Sequence, residues 1–590
     1  MTSPFPAFDL RQIPFSRRGA WINLSPVVGA HRTVDDVHLV SHRTGMHPVL
    51  SLIPRTASGH QPAEWTVVAT PSTVRWSRGS ATVEAVFASR DTLRLRGDDG
   101  VTLRLTEAAA ELTPFTGMFL FRDPRDGSPV FTSYETGCRY RITVIRGSLH
   151  VEGAESLGAA VRAVEVATAD GEGWEIAIEE FETSRSPFVA SSDFDRCVAE
   201  VSTEFAEFAR GVAPWSTSDS ASTTTRETSV LAAYVLWSAT VAPAGFLSRE
   251  SVLMSKHWMD KVWSWDHCFN ALALGPADAD LALDQFLAPF DHQDPSGALP
   301  DSVAHSERLY NFVKPPIHGW AFSKVRERLS RPLTEPELRV VYDRLSSWSR
   351  FWLEHRTAPG RELPHYQHGN DSGWDNATTF DRDRVIESPD LAAFLVVQLD
   401  VLADLADELG LDEGRSWRAE SDRVETALTN ELLDDEGFFA VGPLSGIRSP
   451  RTSLLTLLPV LISDRLPRSV SDLLAERIAA HLTAWGPATQ LVDTPEYESD
   501  GYWRGPIWAP STMLLEEGLR RGGHVDLADT VSARFRALCE RSGFAENFDA
   551  LSGEGLRDRA YTWTASVYLV FSHEHAQRSS ARPAEAAASL

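Results

Sequence analysis

The sequence predicts a mixed β and α protein in which an N-terminal antiparallel β-sandwich is followed by an (α/α)6 barrel. Hydrophobic residues alternate with a period of two over roughly the first 190 residues, and from about Ser192 they recur at helical spacing. A chain of 590 residues also exceeds what one hydrophobic core usually serves. We therefore expect a β-sandwich domain over residues 1–190, a barrel domain over 191–573, and a disordered tail over 574–590, where Ala, Ser and Arg dominate.

Three segments of the first part have the pattern of β-hairpins. Residues 91–105 read DTLRLRGDDGVTLRL, in which two alternating runs are joined by an Asp-Gly turn. Residues 140–153 repeat the pattern around Arg146-Gly147, and residues 160–181 repeat it around a loop at 169–173. Several short hairpins in succession indicate an antiparallel β-sandwich. No cluster of carboxylates or histidines stands out there, so we expect this domain to be a scaffold or to line the rim of the pocket.

The remaining chain contains about a dozen segments with helical periodicity, separated by loops rich in Gly, Pro and Asp. Twelve helices paired as hairpins can close into the double ring of an (α/α)6 barrel. The segments lie near 194–208, 229–241, 265–275, 277–289, 317–330, 335–355, 388–410, 413–433, 450–463, 468–483, 505–521, 525–541 and 560–572.

Charge and cysteine content restrict the partners and the compartment. The net charge of −26 repels phosphate backbones and anionic membranes, so we expect a small neutral substrate and neither nucleic acid nor membrane as a partner. The chain contains no run of about 18 apolar residues, so the sequence predicts no membrane-spanning helix. The first 20 residues contain no apolar stretch of a secretory signal, and the four cysteines form no CxxC pair. These features favour a cytoplasmic protein, and they leave its oligomeric state open.

Five polar and aromatic loops are the candidate functional segments, because function concentrates in loops held by a rigid scaffold. They are KHWMDKVWSWDHCFN (256–270), GALPDSVAHSERLYNFVKPPIHGW (297–320), HGNDSGWDNATTF (368–380), DGYWRGPIWAP (500–510) and FAENFDALSGEG (544–555).

These motifs carry a family resemblance. HGNDSGWDN, then GYWRGPIW, then AENFDALSGEG leading into TWTAS resemble the trehalase and glycoside hydrolase family 63 clan, and WSWDHCFNALAL resembles that clan's earlier aromatic-Trp-Asp motif. The four motifs occur in the family's order across roughly residues 256–571. The resemblance implies an (α/α)6 barrel with an N-terminal β-sandwich, and hydrolysis of α-glycosides with inversion at the anomeric carbon.

Inverting hydrolysis needs one protonated carboxyl group and one ionised carboxylate on opposite faces of the sugar. Asp375 lies between Trp374 and Asn376, and an aromatic neighbour raises a carboxyl pKa as a general acid requires. Glu546 lies in a loop that looks exposed, where a water molecule could reach it. The resemblance places the family's acid at Asp375 and its base at Glu546.

Other residues of the motifs are predicted to bind substrate, each with a structural alternative. Asp266 accepts sugar hydroxyls or caps the helix that begins near His267. Arg504 binds a hydroxyl or forms a structural ion pair, and Asp371 holds a hydroxyl or competes with Asp375. Glu496 and Glu498 are rival candidates for the base. The full predicted binding set is Trp265, Asp266, His267, Trp374, Asn376, Asp371, Trp503, Arg504, Trp508 and His318, with Trp374 and Trp508 as platforms for the sugar.

We expect neither a metal nor a cofactor, because the chain has no HExxH motif, no P-loop and no GxGxxG fingerprint. The leading hypothesis is an exo-acting inverting α-glucosidase that cleaves a small oligosaccharide or a glucosylated metabolite. The alternatives on the same fold are an α-mannosidase and a glycosyl-glycerate hydrolase, in which Lys314 and His318 would meet the substrate carboxylate. A sugar phosphorylase, a polysaccharide lyase and a non-catalytic carbohydrate-binding protein remain as further classes.

Overall fold

The structure, a computed structural model, describes residues 4–56, 64–108, 117–156, 161–218 and 221–588, with side chains described as far as residue 580. The chain divides into two compact units. Unit 1 comprises Met1–Arg210, Ala233–Lys261 and Ala304–Glu307, and unit 2 comprises Gly211–Ala232, Val262–Val303 and Arg308–Leu590.

Unit 1 contains the antiparallel sheets that the sequence predicts. Buried and more accessible side chains alternate along its strands, as at Val101, Leu103 and Leu105, because one face of each strand covers the core. The strands are β1 (Ile22–Gly29), β2 (Arg32–Ser41), β3 (His47–Thr56), β4 (Thr66–Ala69), β5 (Val74–Arg78), β6 (Ala81–Ser89), β7 (Thr92–Gly97), β8 (Val101–Glu107), β9 (Met118–Arg122), β10 (Pro129–Ser133), β11 (Arg139–Arg146), β12 (Ser148–Glu152), β13 (Ala163–Ala167) and β14 (Trp174–Phe181).

The strands form two sheets whose order departs from the chain order. A six-stranded sheet has the order β1-β2-β3-β8-β13-β12, and an eight-stranded sheet has the order β4-β5-β6-β7-β14-β11-β10-β9. The three predicted hairpins are therefore wrong, although their strands are present. In each case, β7 with β8, β11 with β12, and β13 with β14, the two strands belong to different sheets and the turn carries the chain across.

The packing around Trp174 explains these crossings. A methyl group on Gly97 would lie 2.4 Å from the Trp174 ring, one on Gly147 would lie 2.8 Å from its Cβ, and one on Gly173 would lie 2.4 Å from the Gly97 carbonyl oxygen. The indole also donates a hydrogen bond to the Val101 carbonyl at 2.8 Å. The glycines that suggested tight hairpin turns instead let three crossing connections pack against one buried ring.

All of the predicted helical segments are helical in the structure, although the segment around Pro459 forms a 3₁₀-helix. The α-helices are α1 (Phe194–Val212), α2 (Thr223–Ala239), α3 (His267–Leu274), α4 (Ala279–Leu287), α5 (His318–Arg328), α6 (Glu335–Arg350), α7 (Pro389–Glu408), α8 (Gly414–Glu431), α9 (Arg468–Ala480), α10 (Ala509–Arg521), α11 (Val525–Ser542) and α12 (Thr562–Ala588). The 3₁₀-helices are Pro214–Thr217, Pro289–His292, Gly369–Ser372, Thr378–Phe380 and Leu454–Ile462, and a π-helical turn spans Phe351–His355.

Six helical segments of unit 2 follow one another in a cycle of contacts. Helix α3 packs against α5, α5 against α7, α7 against the 3₁₀-helix Leu454–Ile462, that helix against α10, α10 against α12, and α12 against α3. Helices α4, α8 and α11 pack against members of this cycle. Short strands also occur between the helices of the chain; they are Thr240–Val241, Ser251–Val252, Val262–Trp263, Ser302–Val303, Arg308–Leu309, His365–Tyr366, Ile386–Glu387, Leu433–Asp434, Gly437–Phe438, Asn547–Phe548 and Gly555–Leu556.

The last helix enters the segment for which the sequence predicts a disordered tail. Helix α12 continues to Ala588, through most of the segment 574–590. Glu574 pairs with Arg328 at 3.6 Å and with Arg578, one helical turn further on, at 3.5 Å. Ala, Gln and Arg are good helix formers. The Ala- and Arg-rich composition on which the prediction of a tail rests is therefore also compatible with a longer helix.

Two further observations concern the sequence expectations. Among the described residues no helix is long and apolar enough to cross a membrane. Cys138, Cys197, Cys268 and Cys539 are all buried thiols without a disulfide partner.

Helices α5 and α7 approach closely at Gly319. A methyl group there would lie 2.3 Å from the Gln398 Cα, so Gly319→Ala should force the helices apart and lower the free energy of unfolding by about 1–3 kcal/mol. Thermal unfolding of the variant measures this. Gly29→Ala is the control, because its methyl group would find its nearest neighbour, the Arg32 Cβ, at 3.8 Å. Equal stability of both variants would show that the close approach is not a constraint.

Candidate active site

The five polar and aromatic loops lie ahead of the cycle of helices in unit 2. The first loop leads into α3, the second into α5, the third precedes α7, the fourth leads into α10, and the fifth precedes α12. Side chains from all five loops contact or electrostatically influence one another, as described below. The loops therefore form a single candidate site.

Lys314 is the centre of the charged part of the site. Its side chain is only 6% exposed, and its ammonium group lies 3.1 Å from Asp301 Oδ1 and 3.8 Å from Asp375 Oδ1. It also donates a hydrogen bond to the Asn370 carbonyl at 3.0 Å. Burial disfavours the charge, but the carboxylates of Asp375, Asp301 and Asp266 hold the pKa of Lys314 above its usual value.

Two of these carboxyl groups retain a proton more readily than an ordinary aspartate. Burial raises the pKa of Asp266 to about 8, and Lys314 opposes the shift while Asp301 and Asp375 add to it. Burial also raises the pKa of Asp375, against the opposing charge of Lys314 and with the added effect of Asp301. Asp266 Oδ2 has no hydrogen-bond partner among the described residues. A ligand with hydroxyl groups would supply such a partner.

Glu546 is buried, contrary to the expectation of an exposed loop. The residue is 3% exposed, because the strands Asn547–Phe548 and Gly555–Leu556 pair and the backbone of Phe548 also bonds to that of Ile507. Burial raises the pKa of Glu546 to about 7, with a further contribution from Asp558, while Arg557 and a hydrogen bond from the Tyr502 hydroxyl lower it. Its carboxyl group therefore changes charge near neutral pH.

The hydroxyl of Tyr502 brings the carboxyl groups together. Burial raises its pKa, and the charges of Glu546, Asp375 and Asp266 raise it further. Burial likewise raises the pKa of Tyr561, to which Glu546 and Asp266 contribute. Charges influence a neighbouring group mainly at short range within a protein, so Asp375 and Glu546, which are 171 positions apart in the chain (546 − 375), both lie near the Tyr502 hydroxyl.

Backbone strain is concentrated beside Glu546. Tyr502 and Arg557 both adopt left-handed conformations, with φ of 63° and 59°, which are costly for residues with large side chains. The Arg557 guanidinium lies 4.9 Å from the centre of the Tyr502 ring and 2.7 Å from Asp500 Oδ1. The strained pair therefore fixes the phenol that donates to Glu546.

The Asp371 carboxylate, which is predicted to contact a sugar, accepts hydrogen bonds from three donors of the protein. Its carboxylate accepts hydrogen bonds from the backbone of Val313 at 3.1 Å and of Gln367 at 2.9 Å, and it pairs with Arg356 at 2.8 Å. These donors occupy a carboxylate whose residue is 1% exposed. Asp371 therefore joins the second and third loops.

Asn376 and Arg504 join the third and fourth loops. The Asn376 amide donates to the Gly501 carbonyl at 3.0 Å and accepts from the Trp503 backbone at 3.0 Å. Arg504 donates to the Asn376 carbonyl at 2.9 Å and forms an ion pair with Asp381. The structure thus favours the structural alternative for Arg504, and it commits the Asn376 side chain to the backbone.

Trp374 and Trp508, the predicted platforms for the sugar, both stack on Trp503. The rings of Trp374 and Trp503 are 4.6 Å apart at 28°, and those of Trp503 and Trp508 are 4.0 Å apart at 3°. All three residues are about 1% exposed. Trp265 is also buried, and Gly373, with φ of 75°, passes so close that a methyl group would lie 2.6 Å from its ring. All four indoles are therefore closely packed within the protein.

Neither predicted histidine projects into the site as a free group. His318 donates to the Ser264 carbonyl at 2.9 Å, and its ring packs against Phe286, Phe290 and Trp348. Burial lowers the pKa of His318 to about 4, so the ring is neutral. His267 is fully buried, and its Nδ1 lies 3.1 Å from the Trp263 carbonyl. Both side chains support the backbone beneath the loops.

The structure adds Asp301, Tyr502 and Tyr561 to the predicted site, and it gives Lys314 a central place. Their positions in or beside the motifs could have indicated them. Asp301 and Lys314 lie in the second loop, Tyr502 lies in the Gly-Tyr-Trp-Arg motif, and Tyr561 precedes Thr-Trp-Thr. Asp266 occupies the position before α3, but its side chain makes no cap hydrogen bond. In the part of the chain that the structure describes, no group of three or more His, Cys, Asp or Glu residues is arranged to hold a metal ion.

A known protein family matches the part of the chain that contains the site. A family model described as "Mannosylglycerate hydrolase MGH1-like glycoside hydrolase domain" matches residues 259–564, which include all of the carboxyl groups discussed above. The match covers slightly more than half of the chain.

Similar curated proteins hydrolyse glycosyl-glycerates, according to their names. The mannosylglycerate hydrolase of Rubrobacter radiotolerans is 24% identical over 398 residues, which cover 52% of this chain and 89% of that protein. The glucosylglycerate hydrolase of Mycolicibacterium hassiacum is 20% identical over 425 residues, which cover 55% of this chain and 94% of that protein.

Solved structures show the same kind of fold. The family 63 mannosylglycerate hydrolase from Thermus thermophilus, in complex with Tris, matches 58% of this chain and 99% of its own with a TM-score of 0.51 and 22% identity. A bacterial glucoamylase complexed with acarbose matches 97% of this chain and 94% of its own with a TM-score of 0.58 and 9% identity. The second match confirms antiparallel sheets followed by a helical part as the class of fold.

Asp266 should make the stability of the protein depend on pH. The folded state holds the Asp266 proton up to about pH 8, whereas an unfolded chain releases it near pH 4. Stability from this group is therefore present at acidic pH and is lost as the pH rises towards 8, by at most about 1.4 kcal/mol per pH unit. Asp266→Asn should be stabilised relative to the wild type increasingly between about pH 5 and 8, as measured by thermal midpoints.

The control is the same substitution at the exposed Asp493. Asp493→Asn should differ from the wild type by a constant amount across this range. If Asp266→Asn also showed a constant difference, the carboxyl group would be ionised in the folded protein.

Proposed function

The chain belongs to the Mannosylglycerate hydrolase MGH1-like glycoside hydrolase family, and we propose that it hydrolyses an α-linked glycosyl-glycerate with inversion at the anomeric carbon. The observation that carries this proposal is that the part-exposed carboxyl group of Asp375 and the buried carboxyl group of Glu546 both lie near the Tyr502 hydroxyl, with the Lys314 ammonium beside Asp375. Membership of the family gives glycoside hydrolysis as the reaction. The proposal adds the residues that carry out this reaction and the class of substrate.

The proposal includes a closed (α/α)6 barrel as the catalytic domain. The cycle of contacts from α3 through α12 and back to α3 supports an inner ring of six helical segments. Loops that precede the inner helices would then line one end of the ring, which suits a pocket that releases terminal sugars. The two antiparallel sheets would form the β-sandwich that accompanies it.

Asp375 is assigned as the general acid. Its side chain is 31% exposed, so a substrate oxygen can approach it, and its raised pKa keeps the proton available. In the reaction this proton passes to the oxygen that links the sugar to glycerate. The bond from that oxygen to the anomeric carbon breaks, and glycerate leaves as the free alcohol.

Glu546 is assigned as the general base. A water molecule gives a proton to its carboxylate as the water oxygen bonds to the anomeric carbon on the face opposite the departing glycerate. The hydrogen bond from Tyr502 favours the ionised form that this step needs. Asp266, with an oxygen that has no hydrogen-bond partner among the described residues, is assigned to the hydroxyl groups of the sugar.

The glycerate part distinguishes this proposal from the α-glucosidase hypothesis. In a glycosyl-glycerate the carboxylate is attached to a carbon chain that also carries the scissile oxygen, so an oxygen held at Asp375 brings the carboxylate towards Lys314. The named activities of the relatives support the same class better than they support an α-glucosidase of neutral substrates. His318 is not available for this role, because its ring lies in an aromatic core.

Hydrolysis should be measured by proton NMR with α-mannosylglycerate, α-glucosylglycerate and the matching glycosyl-glycerols, which lack the carboxylate. We expect release of the β-anomer first, and a kcat/KM at least about tenfold higher for a glycerate than for its glycerol counterpart. Asp375→Asn and Glu546→Gln should each lose about a thousandfold or more in kcat.

Glu496→Gln and Glu498→Gln are the matched controls, since these residues are the rival candidates for the base. Both variants should keep near wild-type rates. Release of the α-anomer would contradict inversion, and equal rates for glycerate and glycerol glycosides would contradict the substrate class.

Removal of the Tyr502 hydroxyl should shift the acidic limb of the pH profile. Glu546, with a pKa of about 7, must be ionised to act as the base, so kcat/KM should fall below about pH 7. Tyr502→Phe removes a hydrogen bond that lowers this pKa, and the limb should move upward by about half a unit.

Tyr497→Phe is the control, because the Tyr497 hydroxyl has no hydrogen-bond partner among the described residues. A profile that is unchanged in Tyr502→Phe would show that the phenol does not act on the base.

A further inference from the structure

The second loop holds two opposite charges beside the proposed acid, and the assignment of Asp375 does not account for both. We propose that Asp301 is a positioning residue for the acid: by pairing with Lys314, it prevents the ammonium group from drawing the proton off Asp375. The proposal rests on the proposed function, in which Asp375 is the general acid. It adds Asp301 to the residues that the sequence predicts for the site.

The backbone holds Asp301 in place. The Asp301 N–H donates to the Leu309 carbonyl at 2.8 Å, and its carbonyl accepts from the Ser264 N–H at 3.3 Å. The adjacent strand Ser302–Val303 pairs on both sides, with Val262–Trp263 and with Arg308–Leu309. The carboxylate is 11% exposed and lies 3.1 Å from the Lys314 ammonium. Its backbone is therefore held by a small three-stranded sheet.

Lys314 is equally constrained. It precedes Pro315-Pro316, which limit the conformations of the loop, and its ammonium group also donates to the Asn370 carbonyl at 3.0 Å. The ammonium is nearer to Asp301 than to Asp375, by 3.1 Å against 3.8 Å. Because attraction grows as distance falls, the ion pair forms with Asp301, and Asp375 is left as the carboxyl group that can keep a proton.

The groups that face Asp375 come from four of the loops. Lys314 and His368 favour its ionised form, and Asp301 favours its protonated form. Asp266 and the Tyr502 hydroxyl also feel the charge of Asp375. Among these neighbours, Lys314 is the permanently charged cation closest to the acid, so the state of Asp375 depends on how far Asp301 offsets that cation.

This arrangement predicts opposite effects for two substitutions. Asp301→Asn leaves the Lys314 charge facing Asp375, so the acid should lose its proton at lower pH. Lys314→Gln removes the cation and leaves the Asp301 carboxylate, so the acid should keep its proton to higher pH. Charges at these distances shift a neighbouring carboxyl group by about one pH unit. The double variant should lie near the wild type.

The test is the kcat/KM of each variant for the better glycosyl-glycerate as a function of pH, because this ratio reports on the free enzyme. We expect the alkaline limb to move down by about one unit in Asp301→Asn and up by about one unit in Lys314→Gln. Lys314→Gln should also raise KM, through loss of the contact with the substrate carboxylate, but this changes the height of the profile and not the position of the limb.

A glycosyl fluoride separates a role in proton donation from a structural role. Fluoride is a good leaving group that needs little help from an acid, so Asp301→Asn and Asp375→Asn should hydrolyse it at close to wild-type rates. Equal losses on the fluoride and on the glycosyl-glycerate would show damage to the site as a whole and would overturn the proposal. Circular dichroism and thermal unfolding establish that each variant is folded.

The remaining outcomes distinguish the two proposals. If the wild type hydrolyses glycosyl-glycerates and both single variants are active with unmoved alkaline limbs, the role of Asp301 is wrong while the proposed function stands. Limbs that move in the same direction in both variants would also overturn it. The proposed function itself fails if the wild type hydrolyses no glycosyl-glycerate. It also fails if the wild type hydrolyses a glycosyl-glycerate and Asp375→Asn hydrolyses the same substrate at the full wild-type rate.

Discussion

The exclusion of water from carboxyl groups is the physical constraint on which the rest of the site depends. Asp266, Asp301 and Asp375 surround the ammonium of Lys314, and Glu546 lies apart from it under the Tyr502 hydroxyl. One cation can balance one anion in a medium of low polarity, so the other two aspartates retain protons more readily. The acidic role that we propose for Asp375 and the basic role that we propose for Glu546 both rely on this limit to the charge near the site.

The loops that carry these groups are held by the protein itself. Asp371 ties the second loop to the third, Asn376 and Arg504 tie the third to the fourth, and the stack of Trp374, Trp503 and Trp508 fills the space behind them. These hydrogen bonds and ring contacts are made between groups of the protein itself, so they restrain the loops that carry the carboxyl groups.

Sequence patterns predicted the elements well and their contacts poorly. Periodicity located the strands and helices, because it reports which face of an element is buried. It could not identify the partner strand, so the three strand pairs that change sheets were predicted as hairpins. The motifs likewise located the loops of the site. They could not show whether Trp508 is buried or accessible, because its neighbours in the sequence are the same in both cases. Asp301 and Tyr502 gained their importance from residues distant in the chain.

The three connections that cross near Trp174 have a consequence for how unit 1 acquires its structure. Since β7, β11 and β14 lie in one sheet while β8, β12 and β13 lie in the other, neither sheet is continuous along the chain. A nascent chain therefore lacks a strand of the six-stranded sheet until β13 (Ala163–Ala167) has emerged, and a strand of the eight-stranded sheet until β14 (Trp174–Phe181) has emerged. Assembly must await pairings that are distant in sequence, which slows folding and couples both layers into a single cooperative event.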